Sequence, residues 1–357
     1  MILKGLMINM YVFKKILKKI ISFLGYEVKN IKYRQGNVLQ ENRIDISLSA
    51  KKNLTNDFFG GWDEEDIQLL EKYKHKFTKK LEEGFIYDWL GVVTSKKFHG
   101  WIEYPDKGIL CDEDLPIPDD KIHAEAIEYI ALAKSFEESK NKDLYTAVEL
   151  GASFSPWCSS GGVIAKRLGF KNINLISVEA SSSGKEKIME QFANNNLLDD
   201  ENIKTKIIEG AISTENGTVF FPKVNVKNDN GAQITTNKAD VDYRGLKIEH
   251  DEIKSYSIKT IAKDVDFISF LHMDLQGAEE SLFEDSEFLE CLNSKVKVLF
   301  LATQSRIIEG KATKALFGKD WTLFRERPTV YRQNDTAMNP NGWTLRDGGQ
   351  IWINDKI

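Results

Sequence analysis

The sequence is short of cysteine. It has three in 357 residues, Cys111, Cys158 and Cys291, and none stands in a CxxC pair. That spacing argues against a structural zinc site and a disulfide framework, and it suits a reducing compartment. Positive charge is not in excess either: 49 Lys and Arg face 54 Asp and Glu, a formal net charge of -5. No overall basic field attracts nucleic acid, so no nucleic-acid partner is expected. No apolar run reaches the roughly 18 to 20 residues needed to span a bilayer. The opening residues do not read as a secretory signal, because lysines interrupt the apolar segment and no small-residue cleavage site follows. The expected location is the cytoplasm.

What is present begins with MYVFKKILKKIISFLGYEV, from Met10 to Val28. Phe13, Ile16, Leu17, Ile20 and Leu24 repeat at helical spacing, with Lys14, Lys15, Lys18 and Lys19 mostly on the other face. Residues 1–28 therefore read as a basic amphipathic helix. Two uses are open. Residues 10–24 could make peripheral contact with the inner face of the cytoplasmic membrane, or the helix could pack on the body of the protein or a second subunit. Residues 29–140 read as a mainly helical and irregular extension. Within it DEEDIQLLEKYKHKFTKKL has an N-cap in Asp63 and a charge order that suits the helix dipole. HAEAIEYIALAKSFEES, from His123, reads as a helix with Ile127, Ile130, Ala131 and Phe136 inward.

From residue 141 onward the pattern changes. Short apolar runs (TAVEL, NLISVEA, TKIIEGAIS, FISFLHMDL, VKVLFLAT) alternate with helical stretches. Such alternation predicts an α/β fold with a mostly parallel sheet covered on both faces. WTLFRERP and GGQIWIN then read as two strands forming an antiparallel edge. In such a sheet the ligand lies at the carboxyl ends of the strands, where the strand order reverses. The first strand ends at Glu149, with Gly151 in the turn, and the second ends at Glu179. The third ends at Glu209, Gly210 and Ala211, the fourth runs into His272 and Asp274, and the fifth closes with Thr303–Arg306.

The loop AVELGASFSPW spends one glycine where a pyrophosphate loop needs a bare glycine-rich turn. Acids stand at its start and at the next strand end. Acids repel phosphate and suit a cation, so the charge pattern favours S-adenosylmethionine, with its sulfonium and ammonium groups, over NAD. An NAD-dependent sugar-modifying enzyme and a non-catalytic, membrane-docked glycan-assembly partner are the alternatives.

Several segments in order resemble the FkbM-type family of S-adenosylmethionine-dependent methyltransferases. These are VELGASFSPW, ISVEAS, IIEGAISTENGTVFFP and FLHMDLQGAEESLF. ELGASFSPW, TQSRIIEGK and DGGQIWIN are similar to a bacterial subgroup with an N-terminal extension. The resemblance covers roughly residues 145–357. It implies a Rossmann-like class I methyltransferase domain at 141–357 and O-methylation of a sugar hydroxyl in surface polysaccharide or glycan synthesis. By position, it implies that Glu149, Gly151 and Ser153 line the methionine and ribose part of the cofactor. Glu179 would hold the ribose, Glu209, Gly210 and Ala211 would lie near adenine, and Asp274 would sit near the methyl group. Ser153 departs from the family, which usually has a second glycine there.

Asp274 and His272 are the candidate bases for an acceptor hydroxyl. With Glu279 they could also form a divalent-metal site, although no metal is expected. Glu149 and Asp274 could equally be buried acids satisfied by backbone amides, and His272 could be a core histidine. Trp157, Glu279 and Arg306 are candidates for the acceptor side. Trp157 would stack on a sugar or simply wall the pocket, and Arg306 would anchor a polar group or form a structural ion pair. His123 and Glu125 are further candidates from the extension.

Overall fold

A computed structural model of the chain describes residues 26–30, 44–48, 56–57, 60–75, 82–99, 109–110, 126–139, 141, 143–223 and 231–357. The amphipathic segment 10–24, Cys111, His123 and Glu125 lie outside these residues. The chain divides into two compact units, Met1–Asn56 and Asp57–Ile357. In the first, Tyr26–Asn30 pairs antiparallel with Ile44–Leu48.

The second unit is built on seven strands. They are β1 (Leu144–Leu150), β2 (Asn172–Glu179), β3 (Ile203–Glu209), β4 (Ile268–Met273), β5 (Val296–Thr303), β6 (Trp321–Arg327) and β7 (Gly348–Asn354). The spatial order is β3-β2-β1-β4-β5-β7-β6. Every pairing is parallel except the two made by β7. This is the Rossmann-like class I methyltransferase sheet expected from the resemblance. β1, β4 and β5 are buried almost end to end, as central parallel strands covered on both faces must be. The expected antiparallel edge is present with one refinement. β7 lies inside the sheet and β6 forms the edge. Burial explains the order: every residue of GGQIWIN is buried, whereas the middle of WTLFRER is open to solvent.

Six helices of eight or more residues flank the sheet among the described residues. They are α1 (Glu64–Glu71), α2 (Ala126–Glu138), α3 (Pro156–Leu168), α4 (Gly184–Asn194), α5 (Ser286–Lys295) and α6 (Arg306–Leu316). The second compact unit begins ahead of the change of pattern at residue 141. Residues from Asp57 onward are built into the same body. On α2, Phe136 stacks on Tyr145 of β1 with ring centroids 4.3 Å apart and planes 10° from parallel. Asp66 of α1 accepts a 2.7 Å hydrogen bond from Arg325 of β6. The side-chain amide of Asn195 joins Val93 and the end of α4. Beyond β3, Ala211–Ile212 pairs parallel with His250–Tyr256, which pairs antiparallel with Gly217–Pro222, making a separate three-stranded sheet. No helix among the described residues is long and apolar enough to cross a membrane.

Candidate functional site

The strand order reverses between β1 and β4, and a cavity of about 830 Å³ opens at the carboxyl ends of the strands there. Strand register aligns the chemistry along its floor. Glu149 lies opposite His272, and Glu179 opposite Glu209. Glu149, Gly151, Ser153, Trp157, Glu179, Glu209, Gly210, Ala211, His272 and Asp274 all line the cavity. Glu279 and Arg306 do not.

The loop after β1 explains why its residues are acid and serine rather than glycine. Gly151 has φ +79°, and a Cβ there would collide with the carbonyl oxygen of Asp274, so glycine is required. Ser153 and Ser155 also take left-handed conformations, with φ 51° and 62°. Such a conformation costs a non-glycine residue about 1–2 kcal/mol. Two carboxylates hold the loop in place. Glu179 accepts from the Ser153 amide at 2.6 Å and the Ser181 amide at 2.7 Å. Glu149 accepts from Ser155 Oγ and the Cys158 amide, both at 2.8 Å, and more weakly from the Trp157 amide at 3.3 Å. The amides of Trp157 and Cys158 belong to the first turn of α3, where helix N–H groups have no intrahelical partner. Glu149 is thus a buried acid satisfied largely by the backbone, one of the two roles open to it from sequence. Glu179 differs: each of its oxygens has accepted one bond and keeps a lone pair for another donor.

His272 is also tightly placed. Its ring is 3 % exposed and lies between Trp157 and Phe300, with centroids 5.5 and 5.0 Å away and planes 26° and 17° from parallel. Burial lowers its pKa to about 4, so the ring is neutral near pH 7. Nε2 lies 2.9 Å from Glu128 Oε1, a bond the neutral ring makes by donating. Trp157, itself buried, meets Tyr129 edge-on and forms a wall rather than a free stacking platform.

Asp274 begins the loop after β4, with its amide donating to Leu150 O at 3.1 Å. The residue is half-buried, and desolvation, reinforced by nearby Asp347, pushes its carboxyl up to about 7. Oδ1 accepts from Gln276 Nε2 and Gln304 Nε2, both at 2.8 Å. Glu279 turns inward instead of facing the cavity. It accepts from the amides of Leu275 at 2.5 Å and Gly277 at 2.8 Å, bracing the loop that carries Asp274. Burial and the neighbouring Asp274 push the Glu279 carboxyl up. No group of three or more metal-ligating side chains occurs among the described residues. Arg306 is the first residue of α6 and does not line the cavity, its guanidinium 5.0 Å over the Tyr331 ring and its amide donating to Tyr331 Oη at 2.7 Å.

Among the wall residues, sequence reasoning missed Glu128, Phe98, Gln276 and the sheet of Gly217–Pro222 and His250–Tyr256. Glu128 had a signal: it is an acid between inward-facing Ile127 and Tyr129 on an otherwise apolar helix. Phe98, stacked on Phe154 at 5.4 Å, and the small sheet had none that periodicity reveals. Carboxylates in the lining include Glu149, Glu179, Glu209 and Asp274 along the strand ends and Glu128 on α2. Lys187, Lys223 and Lys254 also line the cavity, and Lys223 is within 3.5 Å of Asp251.

Over 221 residues the chain is 30% identical to a protein of Jannaschia sp. (strain CCS1) described as "Putative methyltransferase", covering 61% of this chain and 76% of that protein. No family model matches the chain. Among solved structures, the precorrin-6y C5,15-methyltransferase from Geobacter metallireducens GS-15 shares 13% identity over 70% of this chain and 98% of its own, with a TM-score of 0.33. A METTL16 methyltransferase domain shares 10% identity over 82% and 92%, with a TM-score of 0.35. Superpositions this loose carry no argument about function, and the fold rests on the strand order itself.

Proposed function

The chain belongs to the methyltransferase family of its Jannaschia relative, and from that premise we propose that it is an S-adenosylmethionine-dependent O-methyltransferase acting on a sugar hydroxyl. The observation that carries this reading is Asp274. It is a half-buried carboxyl on the cavity floor, poised near neutrality, with one oxygen engaged by amides and the other without a partner among the described residues. A sugar hydroxyl is a poor nucleophile, and a base with a pKa near the working pH removes its proton most effectively. Asp274 Oδ2 would accept the hydroxyl proton, and the methyl group would pass from sulfur to the hydroxyl oxygen with the methyl–sulfur bond breaking to leave a neutral thioether.

The remaining residues fit the cofactor. When bound, S-adenosylmethionine supplies an electrophilic methyl group on a cationic sulfur. Glu179 has a free lone pair on each oxygen for the two ribose hydroxyls. Gly151 lets the loop after β1 close on the carbonyl of Asp274 and so sets the floor on which the cofactor would rest. The acid-rich floor attracts a cation and opposes a pyrophosphate, which weighs against NAD. His272, neutral and stacked, forms the wall beside Asp274 and cannot compete with it for the proton at neutral pH. The sugar acceptor, and a role in surface polysaccharide or glycan assembly, rest on the resemblance of VELGASFSPW and FLHMDLQGAEESLF to the FkbM-type family. Incubation with methyl-labelled S-adenosylmethionine and a panel of nucleotide sugars and surface glycans, read by mass spectrometry, tests the proposal. Label on a sugar oxygen is expected. Label on carbon, nitrogen or nucleic acid, with none on any sugar, would overturn it.

A further inference from the structure

Asp274 has two oxygens, and a carboxylate turns readily about its last bond to exchange them. In this protein the exchange is opposed. Gln276, in the loop after β4, and Gln304, at the end of β5, both direct a side-chain N–H to the same oxygen, Oδ1. Gln304 is 2 % exposed, and its backbone carbonyl is held by Thr344 Oγ1. Its own Oε1 has no hydrogen-bond partner. The amide orientation is therefore set by Asp274: turned over, Oε1 would face Oδ1, acceptor against acceptor. Gln276 is held in a left-handed backbone conformation, φ 56°, and still delivers its amide to Oδ1. Buried polar oxygens are rarely left unpaired, and left-handed residues without a glycine's freedom cost about 1–3 kcal/mol. Both costs are borne at the two residues that touch this one carboxylate.

We propose that Gln304 is a positioning residue for methyl transfer: together with Gln276 it clamps Oδ1 of Asp274, so that Oδ2 is the oxygen that meets the acceptor hydroxyl. The inference rests on Asp274 being the base. Donors on a carboxylate also favour its ionised form, so the clamp opposes the desolvation that would otherwise leave Asp274 protonated. The other groups acting on Asp274 come from several elements. They are His272 on β4, Glu128 on α2, Glu279 in the one-turn helix Glu279–Leu282, and Asp347 ahead of β7, itself beside Arg327. Glu149 on β1 acts on His272. Gln276 and Gln304 are the side chains that donate directly to Asp274 among the described residues.

Gln304→Met keeps the volume and removes the donor. In the full-length enzyme, the acidic limb of the kcat–pH profile is expected to move up by about one unit. Activity near pH 7 should then fall about fivefold and return above pH 9, with KM for S-adenosylmethionine unchanged. A purely structural role would lower kcat by the same factor at every pH. A carboxyl-carbon NMR titration of Asp274, without substrate, reads the clamp independently of catalysis. If neither the titration nor the profile moves, the clamp is wrong. If the titration moves and the profile does not, the clamp exists but Asp274 is not the base, and the proposal falls with that reading. If Gln304→Met does not fold, Gln276→Leu, on the half-buried partner, takes the same two measurements.

Discussion

Glu149 offers the sharpest test of how the cofactor loop is held. Glu149→Ala would strand two buried donors, the amides of Trp157 and Cys158, while Ser155 Oγ keeps Ser177 Oγ as a partner at 2.7 Å. A buried donor left without an acceptor costs about 1–3 kcal/mol. One of these bonds is short and one is long, so the sum is roughly 2–4 kcal/mol, a large share of the roughly 5–15 kcal/mol that holds a typical domain together. Glu149→Gln should behave very differently. Its amide oxygen can occupy the place of Oε2 and keep the bonds from Ser155 and Cys158, sacrificing only the 3.3 Å contact to Trp157. It also removes a charge that burial disfavours, since burial raises the Glu149 pKa. Glu149→Gln should therefore stay within about 1–2 kcal/mol of the parent. Urea melts of the three proteins at pH 7, with S-adenosylmethionine affinity measured by calorimetry, read both effects. Glu149→Ala as stable as the parent would refute the anchoring role. Glu149→Gln that is fully stable but loses most of its affinity would show that the charge, not the loop, is what the ligand needs.

Other predictions follow from the same geometry. Glu179→Ala should weaken S-adenosylmethionine binding by about 10²–10⁴-fold, because each of the two bonds to a charged acceptor is worth about 1.5–3 kcal/mol; unchanged affinity by calorimetry would remove the ribose assignment. Ser153→Gly relieves a left-handed residue worth about 1–2 kcal/mol and adds about 0.5–1 kcal/mol of chain entropy to lose on folding, so melts should show a small net stabilisation. Asp274→Asn should lower kcat by about 10²–10⁴. Its stability should also change less with pH. The folded pKa of Asp274, about 7, lies above its unfolded value of about 3.9, so its contribution is fully present below pH 4 and is lost as pH rises through 7. Urea melts at pH 5 and 8 would show this, and equal slopes for parent and variant would contradict it.

The sheet was legible because its signals are local. FISFLHM and VKVLFLAT are too short and too continuously apolar for anything but buried strands between helices. The strand ends were legible for the same reason, since a ligand-facing position must follow the last apolar residue of a strand. Roles within the site were less so. Glu149 and Glu279 look alike from sequence, as acids beside glycine-bearing turns, yet both direct their oxygens mainly at backbone amides. That depends on where loops return in space, which spacing does not encode. Glu128 reaches His272 across 144 positions of chain. Arg306 lies against Tyr331, which is brought there by the long excursion between β6 and β7. The compact unit likewise begins at Asp57 because Tyr73, Asp66 and Val93 find partners on or around the sheet, contacts with no periodic signature.

The place of β7 bears on how the chain reaches its folded form. Gly348–Asn354 is the last strand of the sheet in chain order, yet it fills the slot between β5 and β6. Until it arrives, β5 and β6 each show an open edge of unpaired backbone groups, and Phe300 and Leu301 have no neighbour on that side. During synthesis the half of the sheet from β3 to β5 can assemble early, whereas β6 must wait for residues made more than twenty positions later. An emerging chain is therefore exposed to edge-to-edge association over that interval, and the excursion between β6 and β7 sets how long the interval lasts.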